Sequence, residues 1–288
     1  MNAQFSGAPD TTGYPDPRSK KPFHDFRLEL EASHYLLDLA LCPEATRLYF
    51  ALERYPEYGS PYAGPHLAHS VSSGPLIVRA RCEETQRWLA ERLLKGQALA
   101  LIADSDLSMP SLVEHFRSLN EIRRPGGEAL FRYADPRTWF FLKNSLSPSQ
   151  HNRLLGPLRR VEGCVAGRFF QVTAMPDVVD PSNVPSILEL NQSNLALIQQ
   201  RRLELLALSI AEGLGLSQKS LLGWFSCFTD WGARTEADLV AACSALGKAG
   251  LSDAQASSKQ VAAALTRPTQ WSGALAILRR VGRDAGAR

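Results

Sequence analysis

Leu130-Phe131-Arg132-Tyr133-Ala134-Asp135-Pro136-Arg137, with Pro125-Gly126-Gly127 just before it, carries more conformational constraint than any other stretch of this chain. Pro125-Gly126-Gly127 suits a tight turn, because glycine reaches positive φ without a side-chain clash. Leu130 to Tyr133 alternates as a strand, which predicts a hairpin over Ile122–Tyr133. Asp135 suits a helix N-cap, and Pro136 suits the first helical position, where its missing N–H costs nothing. Arg132 and Arg137 bracket the cap. In one reading Asp135 caps its helix while an arginine grips it bidentately, fixing a corner of the fold. In the alternative, Arg132 receives an anionic substrate. The cluster has the make-up of neither a nucleophile, a metal site nor a phosphate loop.

Working outward, the spacing predicts a strand at Tyr35–Leu41 and a helix opening at Pro43 with Leu48, Leu52 and Tyr55 on one face. A Pro-, Gly- and Tyr-rich loop follows over Tyr55–Ser73. Then come a strand at Leu76–Ala80, an amphipathic helix over Glu83–Leu94 stopped near Gly96, and a buried strand at Ala98–Ala103. A helix over Ser108–Leu119 has Ser108 and Ser111 as alternative caps. Further strand material is expected at Phe169–Ala174 and Gly163–Ala166. Alternating strands and helices predict an α/β fold, with a mixed sheet and flanking helices, because the hairpin must be antiparallel. Pro176, Pro181 and Pro185 mark a linker over 176–186. Beyond it the pattern is helical. Leu203, Leu206, Ala207, Ile210 and Leu214 form a stripe, Thr235 and Asp238 resemble a capping box, and Trp271, Leu275 and Leu278 make a last helix. The expected organisation is a polar arm over 1–22, an α/β domain over 23–175, the linker, and a small all-α lobe over 187–288.

The chain has 288 residues, 44% hydrophobic and 21% charged, with a net charge of +3. That balance is too mild for a nucleic-acid partner, which calls for a concentrated basic face. No run approaches the roughly 18 apolar residues of a membrane span. Met1–Pro22 has no apolar core of a secretory signal, so a disordered arm is expected. Cys42, Cys82, Cys164, Cys227 and Cys243 are scattered and never form a C-x-x-C pair, which favours reduced thiols and a cytoplasmic location.

Phe131-Arg132-Tyr133-Ala134-Asp135-Pro136-Arg137 resembles the signature of the domain of unknown function 4123 family, the adaptors of bacterial type VI secretion. Ala134 stands where the family is often aromatic. Leu36-Leu37-Asp38-Leu39-Ala40, Pro75-Leu76-Ile77-Val78, the helix Leu112–Leu119 and Leu155-Gly156-Pro157-Leu158 resemble further family segments in the same order, and Gly232–Leu239 is similar to a turn of its helical lobe. The resemblance implies a non-enzymatic chaperone that holds a toxin effector in the producing cell and loads it onto the VgrG-type spike protein. It needs no cofactor, and the α/β part contacts one partner while the lobe contacts the other. The signature residues Phe131, Arg132, Tyr133, Asp135, Pro136 and Arg137 are expected to be structural.

Other clusters carry weaker chemistry. Asp104 and Asp106 follow a buried strand and could hold a divalent cation or simply bind turn N–H groups; with His115 they make a metal-dependent hydrolase the rival reading. An immunity protein that occludes a toxin is a third. His66 and His69 form an H-x-x-H in a loop and read as surface histidines. Cys82 opens a helix, where the dipole can activate a thiol. No Walker loop, G-x-G-x-x-G or G-x-S-x-G is present. Trp139, Phe140 and Phe141 are consecutive and cannot share a helix face. Trp224, Phe225, Phe228 and Trp231 crowd one segment of the lobe. They are either its core or, because a small lobe runs out of interior, a partner-binding cluster.

Overall fold

The computed structural model describes residues 32–103, 107–175, 187–214, 216–230 and 232–247. The arm over 1–22, the linker over 176–186, Asp104, Asp106, Trp231 and the last expected helix lie outside them. The chain divides into two compact units, Met1–Leu195 and Ala196–Arg288.

The first unit is built on a six-stranded sheet. Its strands are β1 (His34–Asp38), β2 (Tyr58–Gly59), β3 (Pro75–Arg79), β4 (Ala98–Ile102), β7 (Arg160–Val165) and β8 (Arg168–Thr173), in the order β2-β3-β1-β4-β7-β8. Every pairing in it is antiparallel. β1 and β4 are buried at every residue, so they read as continuous apolar runs, as strands covered on both faces do. On one face Tyr35, Leu37, Val78, Ala98, Ala100 and Ile102 pack with α1 (Ala45–Leu52) and α2 (Glu83–Leu94), through Tyr49, Leu89 and Leu93. α4 (Pro136–Leu142) sets Phe140 edge-on against Phe170 of β8, at 5.8 Å between ring centres. Gly163 of β7 leaves room there, since a Cβ would lie 2.6 Å from the Phe170 ring and 2.8 Å from Leu99.

The hairpin is not part of this sheet. β5 (Glu121–Arg124) and β6 (Gly127–Leu130) form a second, three-stranded sheet with β9 (Leu188–Glu189), in the order β6-β5-β9. Its mixed character comes from the parallel β5–β9 pair. The α/β architecture therefore stands, but the mixed pairing lies in the small sheet and the large one is antiparallel throughout. β9 falls at the start of the region read as helical, and its pairing ties residues 188–189 to the first unit. Pro125 and Gly126, with Gly126 at φ +94, occupy the central positions of the turn, the arrangement of a type II turn. The second strand is shorter than expected and stops at Leu130, with one further bond in the same register, from Phe131 N–H to the Asn120 carbonyl at 2.8 Å, closing its end.

Three helices open with the same local grammar. Ser108 caps α3 (Met109–Arg117), Asp135 caps α4, and Ser147 caps α5 (Pro148–Leu155) in a full capping box with Gln150. Each has proline in its first two positions, where no intrahelical N–H is needed. The sequence reading missed α5, although Ser147-Pro148-Ser149-Gln150 carried its signal. It also turned α1 the wrong way. Tyr49 is the inward side chain, and Tyr55 is exposed. The Tyr49 hydroxyl lies 2.9 Å from both the Glu57 and Arg79 carbonyls, which share its one proton, and accepts the Glu57 N–H at 3.0 Å. Those bonds let a tyrosine occupy the core, where an unpaired hydroxyl would be costly.

In the second unit α6 (Gln192–Leu214) presents Leu203, Leu206, Ala207, Ile210 and Leu214 to α7 (Gln218–Asp230) and α8 (Glu236–Gly247). The Thr235–Asp238 box is present: Asp238 N–H donates to Thr235 Oγ1 at 3.1 Å and the Asp238 carboxylate accepts Thr235 N–H at 2.9 Å. Trp224, Phe225 and Phe228 are 0%, 1% and 0% exposed and form the centre of this core. Side chains with no accessible surface cannot face a partner, so the partner-binding reading of these three is corrected to core packing. Trp224 and Phe228 stack at 5.4 Å.

Candidate functional site

The signature corner joins the hairpin, α4 and the large sheet. Its two arginines part ways. Arg137 grips Asp135, with Nη2 on Oδ2 at 2.6 Å and Nε on Oδ1 at 3.0 Å, while the Arg137 N–H donates to Oδ1 at 2.9 Å. Arg132 instead reaches back to Asp38 at the end of β1, Nη2 to Oδ2 at 2.8 Å. The Asp38 side chain is 4% exposed and that of Arg132 is 53% exposed. Asp38 also accepts the Ala40 N–H at 2.9 Å. The Arg–Asp–Arg cluster is thus two pairs: one closes the helix cap, and the other ties the corner to the central strand.

Aromatic packing locks the corner from below. Tyr133 is buried, stacks on Phe116 of α3 at 5.2 Å, and donates its hydroxyl to Asn120 Oδ1 at 2.8 Å. Burial pushes its phenol well above the ordinary value. Trp139 Nε1 donates to the Tyr133 carbonyl at 2.6 Å. Phe131 and Pro136 are buried as well. The neighbouring cleft, lined by Asp38, Tyr62, Gly74, Arg132 and Tyr133, holds only about 20 Å³, space for about one water. Arg132→Ala is expected to cost about 3 kcal/mol, because it strands a buried carboxylate. Asp38→Ala in the same chain should recover part of that loss in a urea-denaturation double-mutant cycle.

Residues 34–153 match the model of a family described as a domain of unknown function, DUF4123. This segment belongs to the DUF4123 family. No curated protein and no solved structure matches the chain. The matched segment runs from the first residue of β1 to Arg153 in α5, and so holds the signature corner and both members of the Asp38–Arg132 pair.

The DUF4123 segment places the other expected residues as follows. His66 and His69 are exposed. Among the described residues, no three His, Cys, Asp or Glu side chains are grouped to hold a metal. Cys82 caps α2, its sulfur accepting Thr85 N–H at 3.5 Å, and all five cysteines are free thiols. No helix among the described residues is long and apolar enough to cross a membrane. His115 is half-buried, its Nε2–H donating to the Leu154 carbonyl at 3.2 Å, with Gly156 against its ring. It packs α3 on the end of α5.

Burial, reinforced by the Arg153 guanidinium, pushes the His115 imidazole from 6.5 down to about 4. The unfolded chain therefore takes up this proton first as pH falls. Its contribution, on the order of 3 kcal/mol, is complete above pH 6.5 and is lost as pH drops toward about 4. Burial lowers His151 in the same direction. Urea midpoints measured between pH 7 and pH 4 should fall less steeply in His115→Gln than in the parent chain.

What sequence reasoning missed is an exposed aromatic face. Phe50, Tyr55 and Tyr58 are 42%, 65% and 50% exposed. The Phe50 and Tyr58 rings meet edge to face at 4.9 Å, and Phe50 meets the buried Tyr49 ring at 5.9 Å. The Arg54 guanidinium sits 5.3 Å over the Tyr55 ring. The Tyr-rich loop after α1 carries the signal, but helical spacing from Leu48 and Leu52 wrongly turns Tyr55 inward.

Proposed function

We propose that this protein is a chaperone or adaptor of type VI secretion, binding a toxin effector in the cytoplasm of the producing cell and loading it onto a VgrG-type spike protein without catalysing a reaction. The DUF4123 segment carries this reading, because the family is associated with effector adaptors of that apparatus. Two features support it. The charged signature side chains are taken up in structural pairs, Arg132 with Asp38 and Arg137 with Asp135, beside a small cleft. The surface also offers rigid, exposed aromatics on the α/β unit, the residue type that dominates protein-binding hot spots.

Deleting the gene in the producing strain tests the reading. Export of the cognate effector should cease while the apparatus still assembles and exports its other cargo. An immunity protein would behave differently: its loss would poison sister cells and leave export intact.

A further inference from the structure

We propose that the outer face of α1, together with β2, is a docking surface for an acidic segment of a partner protein anchored by apolar side chains. The inference rests on the adaptor reading and adds the chemistry of the segment that is held. Arg47, Phe50 and Ala51 lie at helical spacing on the exposed side of α1, Arg54 and Tyr55 follow directly, and Tyr58 stands in β2. β2 is at the end of the strand order, so its outer backbone is unpaired by any strand among the described residues. A short edge strand beside exposed aromatics can accept an extended segment by adding a strand and filling side-chain sites.

Charge selects the segment. The carboxylates of this region are already engaged. Glu57 takes Arg79 at 3.3 Å and Arg81, whose hydrogen bond holds it below the ordinary carboxylate range. Buried Glu53 accepts the Arg81 N–H at 3.1 Å, and Glu44 takes Arg92 at 3.3 Å. Arg47 and Arg54 are exposed and make no ion pair with any described residue. The apolar patch is therefore rimmed by two exposed arginines that no described carboxylate pairs closely, Arg54 lying over the Tyr55 ring and Arg47 adding its positive field near Glu44. The face is also preorganised, since Phe50 leans on Tyr49, whose hydroxyl is fixed by three polar contacts. A surface already in its bound shape loses less entropy on association.

Fluorescence anisotropy with the full chain tests this. One probe is a synthetic peptide alternating glutamate with leucine and phenylalanine, and the other has lysine in place of glutamate. The acidic peptide should bind at least tenfold more tightly than the basic one. The exposed-site double variant Phe50→Ser with Tyr58→Ser, checked for an unchanged unfolding midpoint, should weaken it at least tenfold. Arg47→Glu with Arg54→Glu should reverse the preference. Equal binding of both peptides, or equal binding by parent and Phe50/Tyr58 variant, overturns the proposal. So does a dimer of the parent chain that this variant dissociates, since the face would then be occupied by a second copy. Copurification with the co-expressed effector and spike is the separate arm. If the peptides behave as stated and neither protein copurifies, the adaptor reading falls and the docking surface stands. If either copurifies equally with parent and variant, the docking surface falls and the adaptor reading stands.

Discussion

Trp224→Ala is expected to melt the helical unit, at a cost of about 3–5 kcal/mol, the range for emptying a large aromatic site in a closed core. Trp224 is fully buried, stacks on Phe228, and sits among Leu221, Phe225, Leu239 and Ala242. A cavity of that size cannot collapse without moving α7 against its neighbours. Its indole N–H has no hydrogen-bond partner among the described residues, and an orphaned buried donor costs about 1–3 kcal/mol. Trp224→Phe should therefore be nearly neutral, because it removes that donor while keeping most of the ring. Circular dichroism with urea titration separates the two variants. A Trp224→Ala protein with the parent's helicity and midpoint would mean that this cluster is a surface after all.

The second large effect is expected at Gly156. A Cβ there would lie 2.2 Å from His115 Cε1 and 2.3 Å from its Nδ1. The backbone sits at φ +56 and ψ −120, where side chains other than glycine are strained. Backbone strain and overpacking together predict about 4 kcal/mol for Gly156→Ala. Adding His115→Ala should relieve the steric part and leave the backbone part. The double variant is thus expected to be more stable than Gly156→Ala alone, although each change by itself destabilises. Equal midpoints for Gly156→Ala and the parent chain would contradict the packing described for α3 and α5.

Local rules made several elements legible. The bounds of α2, Glu83 to Leu94, follow from its amphipathic run and the glycine at φ +67 just beyond it. The Asp135 cap and the Thr235–Asp238 box were readable because a cap is decided by a few adjacent residues. Long-range pairings were not readable. Nothing local to Arg132 distinguishes Asp135, three residues on, from Asp38, which lies 94 residues away. The same holds for Tyr49, whose inward position depends on carbonyls of Glu57 and Arg79. Misplacing it hid the exposed face of α1, since a helix turned the wrong way presents the wrong residues to solvent. The direction of the large sheet was equally silent, because strands buried on both faces show the same apolar run whether parallel or antiparallel.

An adaptor must grip other polypeptides. Isothermal titration of the purified full-length protein with its effector, and separately with the spike, tests it most directly. We expect saturable complexes with both, each of defined stoichiometry, and no chemical change in either partner. Heats indistinguishable from dilution for both proteins would contradict it.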